Sequence, residues 1–258
     1  MNEQQVILPI AFAETHQGCM KPVNEDSYVI NEKLGLYLVI DGMGGHKHGV
    51  LATQMIAEHF QSQLAQRLDC LQTCENCTDQ FWISELEHVI EATNGELYKK
   101  NKALGYSEGR GMGGVIAGLF WLEKASRAII FHIGDSRVYL SRDQELSQLT
   151  EDHSWYQQWL NCGKVGQAPS KHIVLRAIGP GRDVKADFQP IDLERGDKIL
   201  ICSDGLSNML AEKELASLIL AADSPELIKA LPSELVAQAN NRGAKDNVTA
   251  LMMCFSSF

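Results

Sequence analysis

The sequence predicts an α+β layered sandwich rather than a doubly wound βαβ sheet, and two patterns carry that expectation. Apolar or alternating runs over residues 115–121, 128–133 and 137–140 follow one another through connections too short for a crossover helix, so they must be antiparallel neighbours. Helical periodicities gather instead into two separate pairs, one ahead of these strands and one near the C-terminus. With 258 residues, 45% of them hydrophobic and 22% charged, the chain can bury a sizeable core. No Pro-, Gly- or Ser-rich linker and no internal repeat divides it, so a single domain over residues 1–258 is expected.

Taken in order, an extended N-terminal segment precedes the apolar run 36–40, which reads as a buried strand, and a glycine-rich loop at 41–45. Leu51, Met55, Ile56, Phe60, Leu64 and Leu68 recur at three- and four-residue spacing and predict a helix. Leu86, Val89, Ile90 and Leu97 place a second helix between about residues 81 and 103. After the three central strands, a further strand is expected over 197–202, then helices over 211–220 and 225–240, and a last strand over 248–255.

Acidic residues outnumber basic ones 33 to 23, a net charge of −10, so the global field repels nucleic acid and anionic membranes. A phosphate-bearing substrate therefore needs a local source of positive charge. No apolar run approaches the roughly 20 residues that span a bilayer, and the stretch from Val6 to Ala13 lacks the basic flank of a signal peptide. A cytoplasmic protein without membrane insertion is expected. Seven cysteines, an odd number in a chain of this size, argue for reduced thiols rather than a disulfide framework. Cys70, Cys74 and Cys77 have the spacing of a three-thiolate iron–sulfur or zinc site, but their place between two helices favours surface or half-buried thiols. Cys202 and Cys254 sit in apolar strands as small core residues.

Three predicted strands deliver an aspartate beside a glycine: Asp41 before Gly42, Asp135 after Gly134, and Asp204 before Gly205. Asp246 precedes the last strand, and Glu25 and Asp26 form an acidic pair. Any one of them reads as a turn residue or a helix cap. Four carboxylates at corresponding strand ends are different, because each is costly to desolvate without a partner, and divalent cations suit several at once. All-oxygen ligation favours Mg²⁺ or Mn²⁺ over zinc.

Read together, Asn24-Glu25-Asp26, the Asp41–Gly45 run, Gly111-Met112-Gly113, Gly134-Asp135-Ser136-Arg137, residues 149–154, residues 175–179, Ser203-Asp204-Gly205 and Asp246-Asn247 resemble the ordered motif series of the metal-dependent (PPM, type 2C) Ser/Thr protein phosphatases. The series runs from about residue 14 to 254, and its spacing resembles the stand-alone bacterial members. That resemblance implies a four-layer α-β-β-α sandwich, two mainly antiparallel sheets flanked by helix pairs, with two Mn²⁺ or Mg²⁺ ions at one end and a third, weaker ion. It implies that Asp41 bridges the pair, the Gly42 carbonyl helps hold one ion, Asp204 and Asp246 bind the other, and Asp135 serves the third. Glu25 and Asp26, with Asn247, would orient water. The implied activity is hydrolysis of phosphoserine and phosphothreonine in proteins by a metal-bridging hydroxide, opposing a Hanks-type Ser/Thr kinase, in some members one that controls type VI secretion.

Two departures bear on that activity. The family usually has an arginine three residues before Asn-Glu-Asp to grip the substrate phosphate, and Lys21 stands there, a point charge without bidentate geometry. Gly114-Val115 stands where two threonines are usual. These changes motivate the competing reading, a phosphoprotein-binding pseudophosphatase. Against it, Asp41, Asp204 and Asp246 are all present. Arg137 is expected in a structural ion pair, and His46, His48 and His153 in structural roles rather than as the general acid. The flap over about residues 155–173 is short and lacks an acidic stretch.

Overall fold

The computed structural model describes residues 8–45, 47–70 and 77–256. Two five-stranded sheets, antiparallel throughout, form its centre. One holds β1 (Leu8–His16), β10 (Val248–Ser256), β9 (Lys198–Cys202), β6 (Arg137–Arg142) and β7 (Glu145–Gln148) in that order. The other holds β2 (Ser27–Asn31), β3 (Leu36–Met43), β4 (Gly113–Leu122), β5 (Arg127–Ile133) and β8 (Asp187–Asp192). Helices α1 (Lys47–Cys70) and α2 (Asp79–Ala103) cover the second sheet. A short α3 (Trp155–Asn161) and a single-turn α4 (Asp204–Ser207) follow in the chain, and α5 (Glu212–Ala221) and α6 (Pro225–Asn241) cover the first sheet. The expected four layers are present.

Burial on both faces explains why β3 reads as an unbroken apolar run. Leu36, Leu38 and Ile40 pack toward α1 and α2, while Tyr37 and Val39 alternate into the space between the sheets. β4 divides likewise, Ile116 and Phe120 to the helices, Leu119 and Trp121 to the inter-sheet core. Local chemistry sets the helix starts: the Thr78 hydroxyl accepts from the Phe81 amide, and Ser224 caps α6 with Pro225 just inside it.

Besides the single-turn α4, the elements β7, β8 and α3 lie outside the expected list. β8 is an edge strand of one sheet and carries Pro190, and β7 is a four-residue edge strand of the other, so neither shows a buried pattern. α3 buries no residue and leaves no apolar stripe to read. Of the cysteine cluster, Cys74 lies outside the described residues, while Cys77 is disulfide-bonded. That corrects the expectation of reduced thiols for Cys77; the Cys70 side chain also lies outside the described residues. Cys202 and Cys254 are free and buried, as expected of core residues.

Candidate metal centre

Antiparallel register brings together acids far apart in sequence. Ser27 pairs with Ile40 and Ala250 with Cys202, so the start of β2 lies beside the end of β3, and the start of β10 beside the end of β9. Ile116 pairs with Ile133, which carries the Gly134-Asp135 turn to the same end. The product is an open cavity of about 430 Å³ whose lining includes Lys21, Glu25, Asp41, Asp135, Asp204 and Asp246. Asp26 is buried behind them, and its Oδ2 accepts from the Thr249 hydroxyl at 2.7 Å.

These carboxyls raise one another's proton affinity. Asp41 is held well above the ordinary carboxylate range by burial first, then by the charges of Asp26, Asp204, Asp135 and Asp246. Burial, with Asp204 and Asp246, lifts Asp26 to about 7 against the opposing hydroxyls of Thr249 and Ser203. Asp135 is likewise lifted to about 7, by burial and then the charges of Asp204 and Asp152. Asp204 is raised by burial and Asp246. At one end of the strands, then, four acids stand where protein alone disfavours their charged forms, and a multivalent cation is the partner that reverses this.

The residues fit such a group. The donors are all oxygen, which suits Mg²⁺ or Mn²⁺. The buried Asp26 Oδ1 has no hydrogen-bond partner. Gly42 cannot carry a side chain, since a Cβ there would collide with the Glu25 carbonyl, with Thr53 Cγ2 at 2.7 Å and with the Gly49 carbonyl at 2.8 Å. At Gly49 a Cβ would strike the Glu25 carboxylate. The loop's backbone is thus free to approach closely.

Other expected site residues fall in different places. Asn247 is buried, its Nδ2 donates to the Gln17 and Val23 carbonyls, both at 2.9 Å, and its Oδ1 accepts from the Glu25 amide at 2.9 Å. Both of its donors are taken by backbone, so its side chain pins the loop that presents Glu25. Lys21 lies in the cavity wall, but its Nζ is paired with Asp246 Oδ1 at 2.5 Å. Burial works to lower the Lys21 pKa, yet Asp246, Glu25 and Asp41 raise it overall. Gly114 exchanges backbone hydrogen bonds with Ile178, and a Cβ on it would lie 2.8 Å from Ile56 Cδ1. The tip of the Ile56 side chain fills the space beside Gly114 and would have to turn aside for a threonine.

Arg137 grips Asp152 with two hydrogen bonds of 2.8 Å, the structural pair expected of it. His46 lies outside the described residues, and His48 Nδ1 meets the Tyr106 hydroxyl at 3.1 Å. Sequence reasoning missed a cluster on the far side of Gly134: His132, His153 and Asp187 have ligand atoms within 4.8 Å of one another. A protein cation already fills it, for Arg176 lies 2.7 Å from Asp187 Oδ1 and 3.0 Å from His153 Nε2. His153 Nδ1 accepts from the Gly134 amide, and burial followed by His132 lowers its pKa to about 4. It therefore stays neutral and ties the flap base to the Asp135 turn.

Two antiparallel sheets between helix pairs, with acids gathered at one end of the strands, define a metal-dependent protein phosphatase. Residues 21–230 match the family model for protein phosphatase 2C, and the chain belongs to that family. It is 30% identical over 249 residues to the serine/threonine phosphatase stp of Listeria innocua, covering 93% of each chain. Among solved structures, PppA, described as a key regulatory component of T6SS in Pseudomonas aeruginosa, superposes with a TM-score of 0.81 at 26% identity, covering 97% of this chain and 99% of that one. The catalytic domain of the serine threonine protein phosphatase PstP in complex with two manganese ions gives 0.79 at 27% identity, over 97% and 99%. The chain is a serine/threonine phosphatase of the type 2C class.

Proposed function

We propose that this chain, acting as one catalytic domain, removes phosphoryl groups from serine and threonine by direct attack of water on phosphorus, with no phosphoenzyme. The observation that carries the reading is the convergence of Asp41, Asp135, Asp204 and Asp246 on one open cavity. Asp41, the Gly42 carbonyl, Asp204 and Asp246 would hold a pair of divalent cations, and Asp135 a third. Bound there, the pair would supply a lowered water pKa and an offset for the negative phosphoryl oxygens. Manganese is favoured by the PstP complex. Glu25 and Asp26 provide acceptors that orient water beside Asp41. Lys21 contributes a point charge to the incoming phosphate, shared with Asp246. Asn247 fixes the Glu25 backbone and His153 the Asp135 turn, so the acceptors keep their spacing.

The substrates we assign are proteins phosphorylated by a Hanks-type Ser/Thr kinase, in a signalling role in the bacterial cytoplasm. The likeness to PppA supports a link to type VI secretion. Among the described residues no helix is long and apolar enough to cross a membrane. The test is hydrolysis of p-nitrophenyl phosphate and of a phosphothreonine peptide with Mn²⁺, with Mg²⁺ and after chelation. Activity is expected with metal and lost on chelation. Metal-independent turnover, or none with manganese present, overturns the reading.

A further inference from the structure

Beside the carboxylate cavity lies a second one of about 430 Å³, and the two share His172 and Asp246 in their walls. Its chemistry is inverted. Lys171 and Lys245 line it with Asn208 and Met209, and its one carboxylate, Asp246, is already paired with Lys21. Among the described residues neither Lys171 nor Lys245 makes a salt bridge, and the Lys171 ammonium stands 4.9 Å from the centre of the Tyr156 ring. In a chain of net charge −10 an anionic peptide is repelled everywhere except at such a local cationic wall.

We propose that Lys171 and Lys245 receive an anionic side chain flanking the phosphorylated residue, so that the enzyme selects acidic phosphorylation sites. This deepens the phosphatase reading and rests on it. An extended peptide rises about 3.3 Å per residue, so with the phosphoryl group among the carboxylates, a residue one or two places away reaches the adjoining cavity. The ligand is a carboxylate or a second phosphate. Either is drawn by the same two ammonium groups, and the cavity is roomy enough for both.

The experiment compares kcat/KM for loss of the threonine phosphate, resolved by mass spectrometry from any loss at the flank, in three phosphothreonine peptides that differ only in the flanking residues: Glu, phosphoserine or Gln. Wild-type enzyme with Mn²⁺ is expected to favour the acidic peptides by about fivefold, the scale of two exposed charge pairs. In the Lys171→Gln/Lys245→Gln double variant the ratio falls to about one, and in Lys171→Glu/Lys245→Glu it inverts. A preference confined to phosphoserine identifies a second phosphate, and one shared with Glu identifies any acidic side chain. Equal kcat/KM for all three peptides in wild type, or a preference that persists in both double variants, overturns the proposal. Wild-type hydrolysis of p-nitrophenyl phosphate separates the cases: its absence sinks the phosphatase reading, and its presence without a peptide preference sinks only this one.

Discussion

Lys21 Nζ and Asp246 Oδ1 lie 2.5 Å apart in the wall of the carboxylate cavity, which makes the ammonium a competitor of any divalent cation for that oxygen. Removing the charge has two opposed effects. Lys21→Met is expected to lower the Mn²⁺ concentration for half-maximal activity, because one positive neighbour is gone. It is also expected to raise KM for a phosphopeptide by about tenfold, the value of one charge-assisted contact. Lys21→Arg restores KM through its fork. Metal titrations and steady-state kinetics on the two variants read both effects, and an unchanged KM in Lys21→Met removes Lys21 from phosphate recognition.

Asp204→Asn tests whether the acids are arranged for a metal rather than for stability. Burial and Asp246 already raise the Asp204 pKa, so the amide relieves repulsion in the metal-free protein. The variant should melt at the same temperature as wild type without metal, or a few degrees higher, since about 1 kcal/mol moves Tm by roughly 2–4 °C at this size. Turnover should vanish, and so should the rise in Tm that Mn²⁺ gives wild type. Retained activity, or a lower metal-free Tm, means that Asp204 serves the fold.

Much of this centre was legible because its donors sit where strands stop. Asp41 and Asp204 follow apolar runs that can only be buried strands, and their Gly neighbours mark the turns. Antiparallel pairing then carried both to one end. What stayed hidden depends on partners far along the chain. Nothing in the sequence around Asn247 says that its amide holds the carbonyls of Gln17 and Val23. Likewise Asp187 lies on the edge strand β8, whose Pro190 conceals it, so its pairing with His153 and Arg176 had no local signal. The packing of Ile56 against Gly114 likewise has no local signal.

The raised carboxyls fix the sign of the pH dependence. Asp26 and Asp135 titrate near 7 in the fold but near 4 in the unfolded chain, so between those limits the folded state binds more protons. Their contribution is fully present below about pH 4 and is lost as pH rises through 7. Metal-free protein should therefore lose stability across about pH 4 to 7 from these groups, and Mn²⁺ should restore it most strongly at the upper end. Thermal melts in a chelating buffer series, repeated with Mn²⁺, measure this, and a Mn²⁺ effect that is largest at pH 5 contradicts it.

Asn247→Ala removes three hydrogen bonds at once, one buried and two part-buried, and leaves the Gln17 and Val23 carbonyls and the Glu25 amide without that partner. At about 1 kcal/mol each, and more where water does not replace the side chain, the loss is about 3 kcal/mol, or a fall in Tm of roughly 6–12 °C. Because the same side chain positions Glu25, weaker Mn²⁺ activation should accompany the lower Tm. Asn247→Asp should be no better: a carboxylate can still accept from Glu25 N–H, but it faces two carbonyls with no proton to offer and adds charge to an already crowded set of acids. Assaying both variants well below their melting temperatures separates the two effects. If Asn247→Asp instead matches wild type in Tm and in Mn²⁺ response, the amide donors are dispensable and the loop is held by something other than Asn247.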